Sequence, residues 1–301
     1  MEICTMVAFD YQFNGETEKR EDRYSLTYKP ITRPLLGSWK EEVEHEAIRL
    51  ANTVKRPFVV CMSGGIDSEI IARAFHDIGA PMSVLTIRYK DGSNEHDIIY
   101  AKNFCQSRGI QQGFIDIDPI PFYETMMKKY IDMGYVSDSV YRYVILMLME
   151  HIEGLGKCAI MGGGLQQYRI VNRKLCIKHH HSLLSTLDWM KNNNAEHYPL
   201  FFSNTPEIFA VYQEEPLIRF MIQNQEYFRT YMGADNSPEK ILVAHKLWAG
   251  MTPRPKFNGY EQIYDWKMIK QAELVTRFPH MTYIIKPIWQ IRQELGLEKI
   301  C

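Results

Sequence analysis

Phe58-Val59-Val60-Cys61-Met62-Ser63-Gly64-Gly65-Ile66-Asp67-Ser68 decides how this chain is read. Phe58 to Met62 is an apolar run of strand length, the glycine pair makes a turn, and Glu69 to Phe75 continues with helical spacing. Glycine adopts backbone angles that a side chain forbids, so main-chain amides can close on a polyanion. A helix that starts at the same place adds its unpaired N–H groups and the positive end of its dipole. Ser63 and Ser68 supply hydroxyls, and Asp67 offers hard oxygens to a divalent cation. Ser63, Gly64, Gly65, Ile66, Asp67 and Ser68 therefore read as a phosphate cradle, although a plain strand-turn-helix corner capped by Asp67 would use the same residues.

Working outward, Ser83 to Ile87 is a second β-branched run, Arg88 to Asn94 a polar loop, Glu95 to Arg108 a helical pattern and Gly113 to Ile117 a third short strand. Strands alternating with helices predict an α/β fold with a doubly wound parallel sheet, whose ligands sit beyond the carboxyl ends of the strands. Upstream, Trp39 to Val54 carries apolar residues at helical spacing behind Ser38, a helix cap. Cys4 to Phe13 and Tyr24 to Tyr28 alternate around the charged stretch Asn14 to Asp22, which predicts a short N-terminal β hairpin. Helical patterns follow at Phe122 to Met133 and Tyr141 to Ile152, then a strand at Lys157 to Met161, and the chain reads as mostly helical after residue 180. The expected organisation is a hairpin over 1–36, a nucleotide-binding α/β domain over 37–178 and a helical region over 179–301 that completes the site.

Two further stretches carry chemistry. Cys158-Ala159-Ile160-Met161-Gly162-Gly163-Gly164-Leu165-Gln166-Gln167 is a strand ending in three glycines, a loop that lets backbone approach a ligand or simply turns tightly. Met251-Thr252-Pro253-Arg254-Pro255-Lys256-Phe257-Asn258-Gly259-Tyr260 is a stiff loop presenting two cations, which could also be plain surface.

The string Ser-Gly-Gly-Ile-Asp-Ser at 63–68, behind an apolar strand, resembles the PP-loop of the ATP pyrophosphatase superfamily, which splits ATP between its α and β phosphates; the P-loop string with Gly-Lys-Ser/Thr is absent. The glycine loop and the Arg-Pro-Lys-x-x-Gly-Tyr string are similar to segments of the asparagine synthetase ATP domain, an adenine nucleotide alpha hydrolase-like fold, and the resemblance covers roughly 40–265. It implies ATP and Mg2+ as cofactors. Ser63 to Ser68, Gly162 and Gly163 would then line the phosphates, Asp67 would ligate magnesium, and main chain near Leu85 and Ile87 would read adenine. Lys256 would neutralise departing pyrophosphate, so that Asp67 and Lys256 carry catalysis. Two family carboxylates are missing, because Gly163 and Gln166 stand where that family has a glutamate and an aspartate. The implied reaction adenylates a carboxylate or carbonyl oxygen and then admits an amine or ammonia. The alternatives are a PP-loop enzyme acting on a nucleobase or NAD precursor and a nucleotide-binding protein without synthetase activity. No glutaminase domain is recognised ahead of residue 40, so nitrogen would come from ammonia, an amine-bearing substrate or a separate amidotransferase partner.

A formal net charge of −1 gives no broad basic field, so nucleic acid is not an expected partner. No apolar stretch approaches the roughly 20 residues that cross a bilayer, and cytoplasm is the expected compartment. Six cysteines without a Cys-x-x-Cys pair read as reduced core residues. Weaker candidates are Glu69 as an acid beside the cradle, Asp116 and Asp118 as replacement metal ligands, and the run His179-His180-His181.

Overall fold

The computed structural model describes residues 7–13, 24–137, 139–164, 166–180, 182–224, 238–251, 263–278 and 283–297. Its centre is a parallel sheet of four strands, β3 (Phe58–Cys61), β4 (Met82–Tyr89), β5 (Gln112–Ile117) and β6 (Cys158–Ile160), in the spatial order β5-β4-β3-β6. Ahead of it lie β1 (Phe9–Phe13), β2 (Tyr24–Tyr28) and helix α1 (Trp39–Thr53), whose first turn is capped by the Ser38 hydroxyl as the sequence predicts. Helices α2 (Ile66–Asp77) and α3 (Glu95–Arg108) carry the chain from β3 to β4 to β5, and α4 (Pro119–Asp132) with α5 (Val140–Gly154) carries it back past β3 to β6.

Alternation along β3 builds both faces of the sheet. Phe58, Val60 and Met62 enter a core shared with α1, α2 and α3, whereas Val59 and Cys61 point into the opposite core formed by α4 and α5. A central parallel strand covered on both faces reads as a continuous apolar run, which is why 58–62 carries no polar residue. The order of the sheet reverses between β3 and β6, so the crevice beyond their carboxyl ends is the place where a ligand fits.

After residue 180 the chain is mostly helical, as the sequence predicts, but it also contributes a strand to a further sheet that the sequence reading does not anticipate. An antiparallel sheet of β7 (Tyr168–Val171), β8 (Lys174–His180) and β9 (Tyr283–Pro287) stands among α6 (Ser182–Asn192), α7 (Pro206–Glu214), α8 (Pro216–Gln223), α9 (Pro238–Leu247), α10 (Tyr264–Arg277) and α11 (Ile288–Leu295). Asn172 and Arg173, both at positive φ, close the β7–β8 hairpin. β8 passes through residues 178 and 179, so this sheet joins the two sections that the sequence divides there. The N-terminal hairpin forms with the expected strands, while its turn lies outside the described residues.

That hairpin is bound into the body of the protein. The Tyr28 ring packs tilted against Phe209, with centroids 4.5 Å apart, and its hydroxyl meets His179 Nε2 at 2.6 Å. Lys286 of β9 donates to the Leu26 carbonyl at 2.5 Å and pairs with Glu294. His179 is therefore a buried structural residue; His181 lies outside the described residues, and no group of three potential metal ligands occurs among those described. Among the described residues no helix is long and apolar enough to cross a membrane.

His197 ties the edge of β6 to α5. Its Nδ1 accepts from the Ala159 amide at 3.0 Å, which leaves the proton on Nε2, 3.0 Å from Glu153. Burial pushes the imidazole down from 6.5 to about 4, and the nearby Glu153 offsets only part of that. Below about pH 6.5 the unfolded chain gains a proton that the folded chain refuses, so stability falls as the pH drops from 6.5 towards 4, by at most about 3 kcal/mol. Urea unfolding at pH 7 and pH 5 should show this loss, and His197→Gln should be less stable at pH 7 but flatter between the two.

Candidate functional site

The loop after β3 forms the floor of the crevice. Only one glycine of the pair needs to be glycine: Gly64 has φ +104, and a Cβ there would lie 2.0 Å from the Asp97 carbonyl oxygen. Gly65 has an ordinary φ of −70, and a Cβ on it would meet only the Ser63 hydroxyl, at 3.3 Å. Gly65 is also the N-cap of α2, so no side chain caps that helix and its leading amides are left for an anion. Asp67, which the sequence allowed as a cap, lies within the first turn. Ser68 bonds the Gly65 carbonyl at 2.9 Å, and Ser63 is exposed at the rim.

Asp67 holds the charge of the site. Its Oδ2 accepts from Lys240 Nζ of α9 at 2.9 Å, while Oδ1 is buried with no hydrogen-bond partner among the described residues. A buried carboxylate oxygen without a hydrogen bond is costly, and a cation is the partner that suits it. Magnesium needs only one or two protein carboxylates when phosphate oxygens and water complete its shell, so Asp67 fits that ion without further acidic ligands. Tyr212 of α7 is a second orphan: its hydroxyl is buried without a hydrogen-bond partner among the described residues. Burial pushes its pKa well above the ordinary value, with Tyr168, Glu239 and Asp67 adding to the rise, so it stays a neutral phenol.

The glycine loop after β6 closes the other wall. A Cβ on Gly162 would come within 3.0 Å of the backbone and Cβ of Asp67, so this residue packs flat on the first turn of α2. One on Gly163 would lie 2.3 Å from the Pro199 carbonyl oxygen. No side chain, and so no glutamate, fits position 163 on this backbone. Gln166 turns away from the crevice: its amide donates to the Phe209 carbonyl at 2.6 Å and accepts from the Tyr168 hydroxyl at 2.7 Å. Gln166, which stands where the resembled family has an aspartate, is thus a structural tie between Phe209 and Tyr168.

Other sequence candidates separate. The Leu85 carbonyl accepts from the Met62 amide, the Ile87 carbonyl accepts from Asn94, and both side chains pack against the core under α4 and α5. Asp116 is engaged at the sheet edge in an exposed pair with Arg88, at 2.6 Å. Glu69 is buried and bound to Arg73, at 2.7 Å. Lys256 lies outside the described residues. The sequence reading missed Lys240 and Tyr212, because nothing local marks a lysine on an amphipathic helix or a tyrosine in an apolar one; only the contact of Lys240 with Asp67 of α2 and the packing of Tyr212 on Trp39 of α1 set them apart.

Comparison with known families matches residues 42–139, which include the cradle, to the NAD synthase family. The match favours the NAD-precursor alternative over the asparagine synthetase resemblance. No curated protein matches the chain. Among solved structures, NMN synthetase from Francisella tularensis is 15% identical with a TM-score of 0.36, covering 86% of this chain and 93% of that one. The NH3-dependent NAD synthetase from Campylobacter jejuni subsp. jejuni is 14% identical with a TM-score of 0.36, covering 73% and 97%. Glutamine-dependent NAD+ synthetase from Acinetobacter baumannii is 13% identical with a TM-score of 0.34, covering 84% and 46%. Scores of this size carry no inference about activity.

The two loop glycines should separate under mutation. Gly64→Ala forces a strained backbone against Asp97 and should destabilise the protein by about 1–3 kcal/mol in denaturant unfolding. Gly65→Ala should stay within about 1 kcal/mol of the parent, because its backbone angles suit alanine.

Proposed function

We propose that this chain is an ATP-dependent, amide-forming synthetase that activates the carboxylate of a pyridine-nucleotide precursor of NAD, with ammonia or an ammonia-delivering partner as nitrogen source. The observation that carries this reading is the pairing of Asp67 with Lys240 at the switch point of the sheet, one oxygen of the carboxylate remaining free for a metal, within the segment that matches the NAD synthase family. ATP would lie with its β and γ phosphates over the amides of Gly64, Gly65 and the first turn of α2.

A carboxylate oxygen of the acceptor attacks the α phosphorus as the bond to the β phosphate's bridging oxygen breaks, which gives an acyl adenylate and pyrophosphate. Ammonia then attacks the acyl carbon, loses a proton and expels AMP. Asp67 would hold magnesium, which would supply charge neutralisation when bound. Lys240, which pairs with Asp67 at the cradle, would offer its ammonium to the departing pyrophosphate and, with Lys256 as a second candidate, balance the charge that develops there. The chain offers orientation and electrostatics and needs no covalent enzyme intermediate. A cytoplasmic setting suits this chemistry.

One observation favours a second reading, a nucleotide-binding protein without synthetase activity: the glycine loop contributes no carboxylate at 163 and the Gln166 amide is fully used. The test incubates the protein with ATP, magnesium, ammonium and a nicotinate-bearing mono- or dinucleotide, and follows AMP and pyrophosphate. Equimolar AMP, pyrophosphate and amide support synthesis; ATP binding with no turnover supports the second reading; ADP as product overturns both. Asp67→Asn should cut pyrophosphate release by roughly a hundredfold, and Lys240→Met should lower the rate more than the affinity for ATP.

A further inference from the structure

We propose that Arg73, held in place by Glu69, is the positioning residue that sets Lys240 against the nucleotide phosphates. This rests on the nucleotide reading above, but not on the identity of the acceptor. Both residues lie on α2, one turn apart and buried, at 8% and 4% exposure. Arg73 Nε and Nη2 both reach the Glu69 carboxylate oxygen Oε1, at 2.8 Å and 2.7 Å. The remaining donors of the fork leave the helix: Nη1 donates to the Ala249 carbonyl at 3.0 Å and Nη2 to the Gly250 carbonyl at 3.1 Å.

Ala249 and Gly250 lie just past the end of α9, with one residue between; that helix carries Lys240 near its start, and the two residues lead into the segment containing Lys256. α9 thus meets α2 twice: Lys240 touches Asp67 in the first turn of α2, and the end of α9 sits on Arg73 further along the same helix. The two helices therefore run side by side in the same direction, with both positive dipole ends at the phosphate cradle. A planar guanidinium that reads two successive carbonyls fixes both the rotation and the advance of α9, which apolar packing alone does not. A cation at the end of α9 also complements the negative end of its dipole. Glu69 matters because it neutralises and orients the buried guanidinium. The acid beside the cradle thereby gains a role that is neither proton transfer nor metal binding.

The test is a double-mutant cycle on magnesium-ATP affinity in the full chain, with R73M, K240M and the pair. Arg73 acting through Lys240 predicts that R73M weakens ATP binding about tenfold in the parent but less than about twofold on the K240M background. Additive losses would overturn the proposal, since they mean that Arg73 serves general stability. R73K retains the charge beside Glu69 but cannot span both carbonyls, so it should fold, lose part of the affinity, and lose nothing further when K240M is present; this variant decides if R73M fails to fold. Hydrogen exchange gives an arm free of nucleotide: R73K should speed exchange in residues 240–250, and unchanged exchange there would overturn the clamp. Failure of the parent to bind ATP would instead strike the nucleotide reading, leaving the exchange arm to judge the clamp.

Discussion

Gly162 lies flat on the first turn of α2 because β3 and β6 are neighbours in the sheet, and that contact governs the shape of the crevice. Any side chain at 162 would push into Asp67, and any at 163 would push into the Pro199 carbonyl, so the loop after β6 approaches the cradle as bare backbone. Residues 198–200 reinforce this: they bridge to Ile160 and Gly162 and extend the sheet past its last strand. The two loops at the switch point are therefore held at a fixed separation by hydrogen-bonded backbone, which suits a ligand whose phosphates must be gripped without being shifted.

Helix α2 distributes the charge of the site. Asp67 faces Lys240 across the crevice, Glu69 faces Arg73 within the helix, and Arg73 spends its remaining donors on the end of α9. Both acids sit in the first turn, where the helix dipole favours negative charge. Buried pairs of this kind contribute little net stability compared with apolar packing, and their value lies in fixing one geometry. The hairpin β1–β2 and the sheet β7–β8–β9 support this arrangement from outside, through Tyr28, His179 and Phe209, in the same core that holds α1, α2 and α7.

The segment that matches the NAD synthase family ends before α5, so it covers the cradle and stops short of the glycine loop. In the proposed reading, phosphate handling and acceptor handling would therefore fall on different parts of the chain, with the phosphate side inside the matched segment. The side that would face the acceptor in that reading presents close backbone at Gly162 and Gly163 and the neutral Tyr212 hydroxyl, groups that would orient an acceptor and not remove a proton.

Local physics made the first half of this architecture readable in the sequence. The apolar run 58–62 could only be a strand buried on both faces, the glycines after it could only turn, and the helical spacing of Ile70, Ile71 and Ala74 followed from the same core. Ser38 as the cap of α1 and the alternation of β1 and β2 were equally local. β7, β8 and β9 escaped because β9 finds its partner more than a hundred residues away, and the turn at Asn172 and Arg173 lacks the glycine that usually announces a two-residue hairpin. The roles of Gly64 against Gly65, of Lys240 and of Arg73 were decided only in three dimensions. Each depends on an atom from a distant element, the Asp97 carbonyl, the Asp67 carboxylate or the end of α9, that no local pattern places.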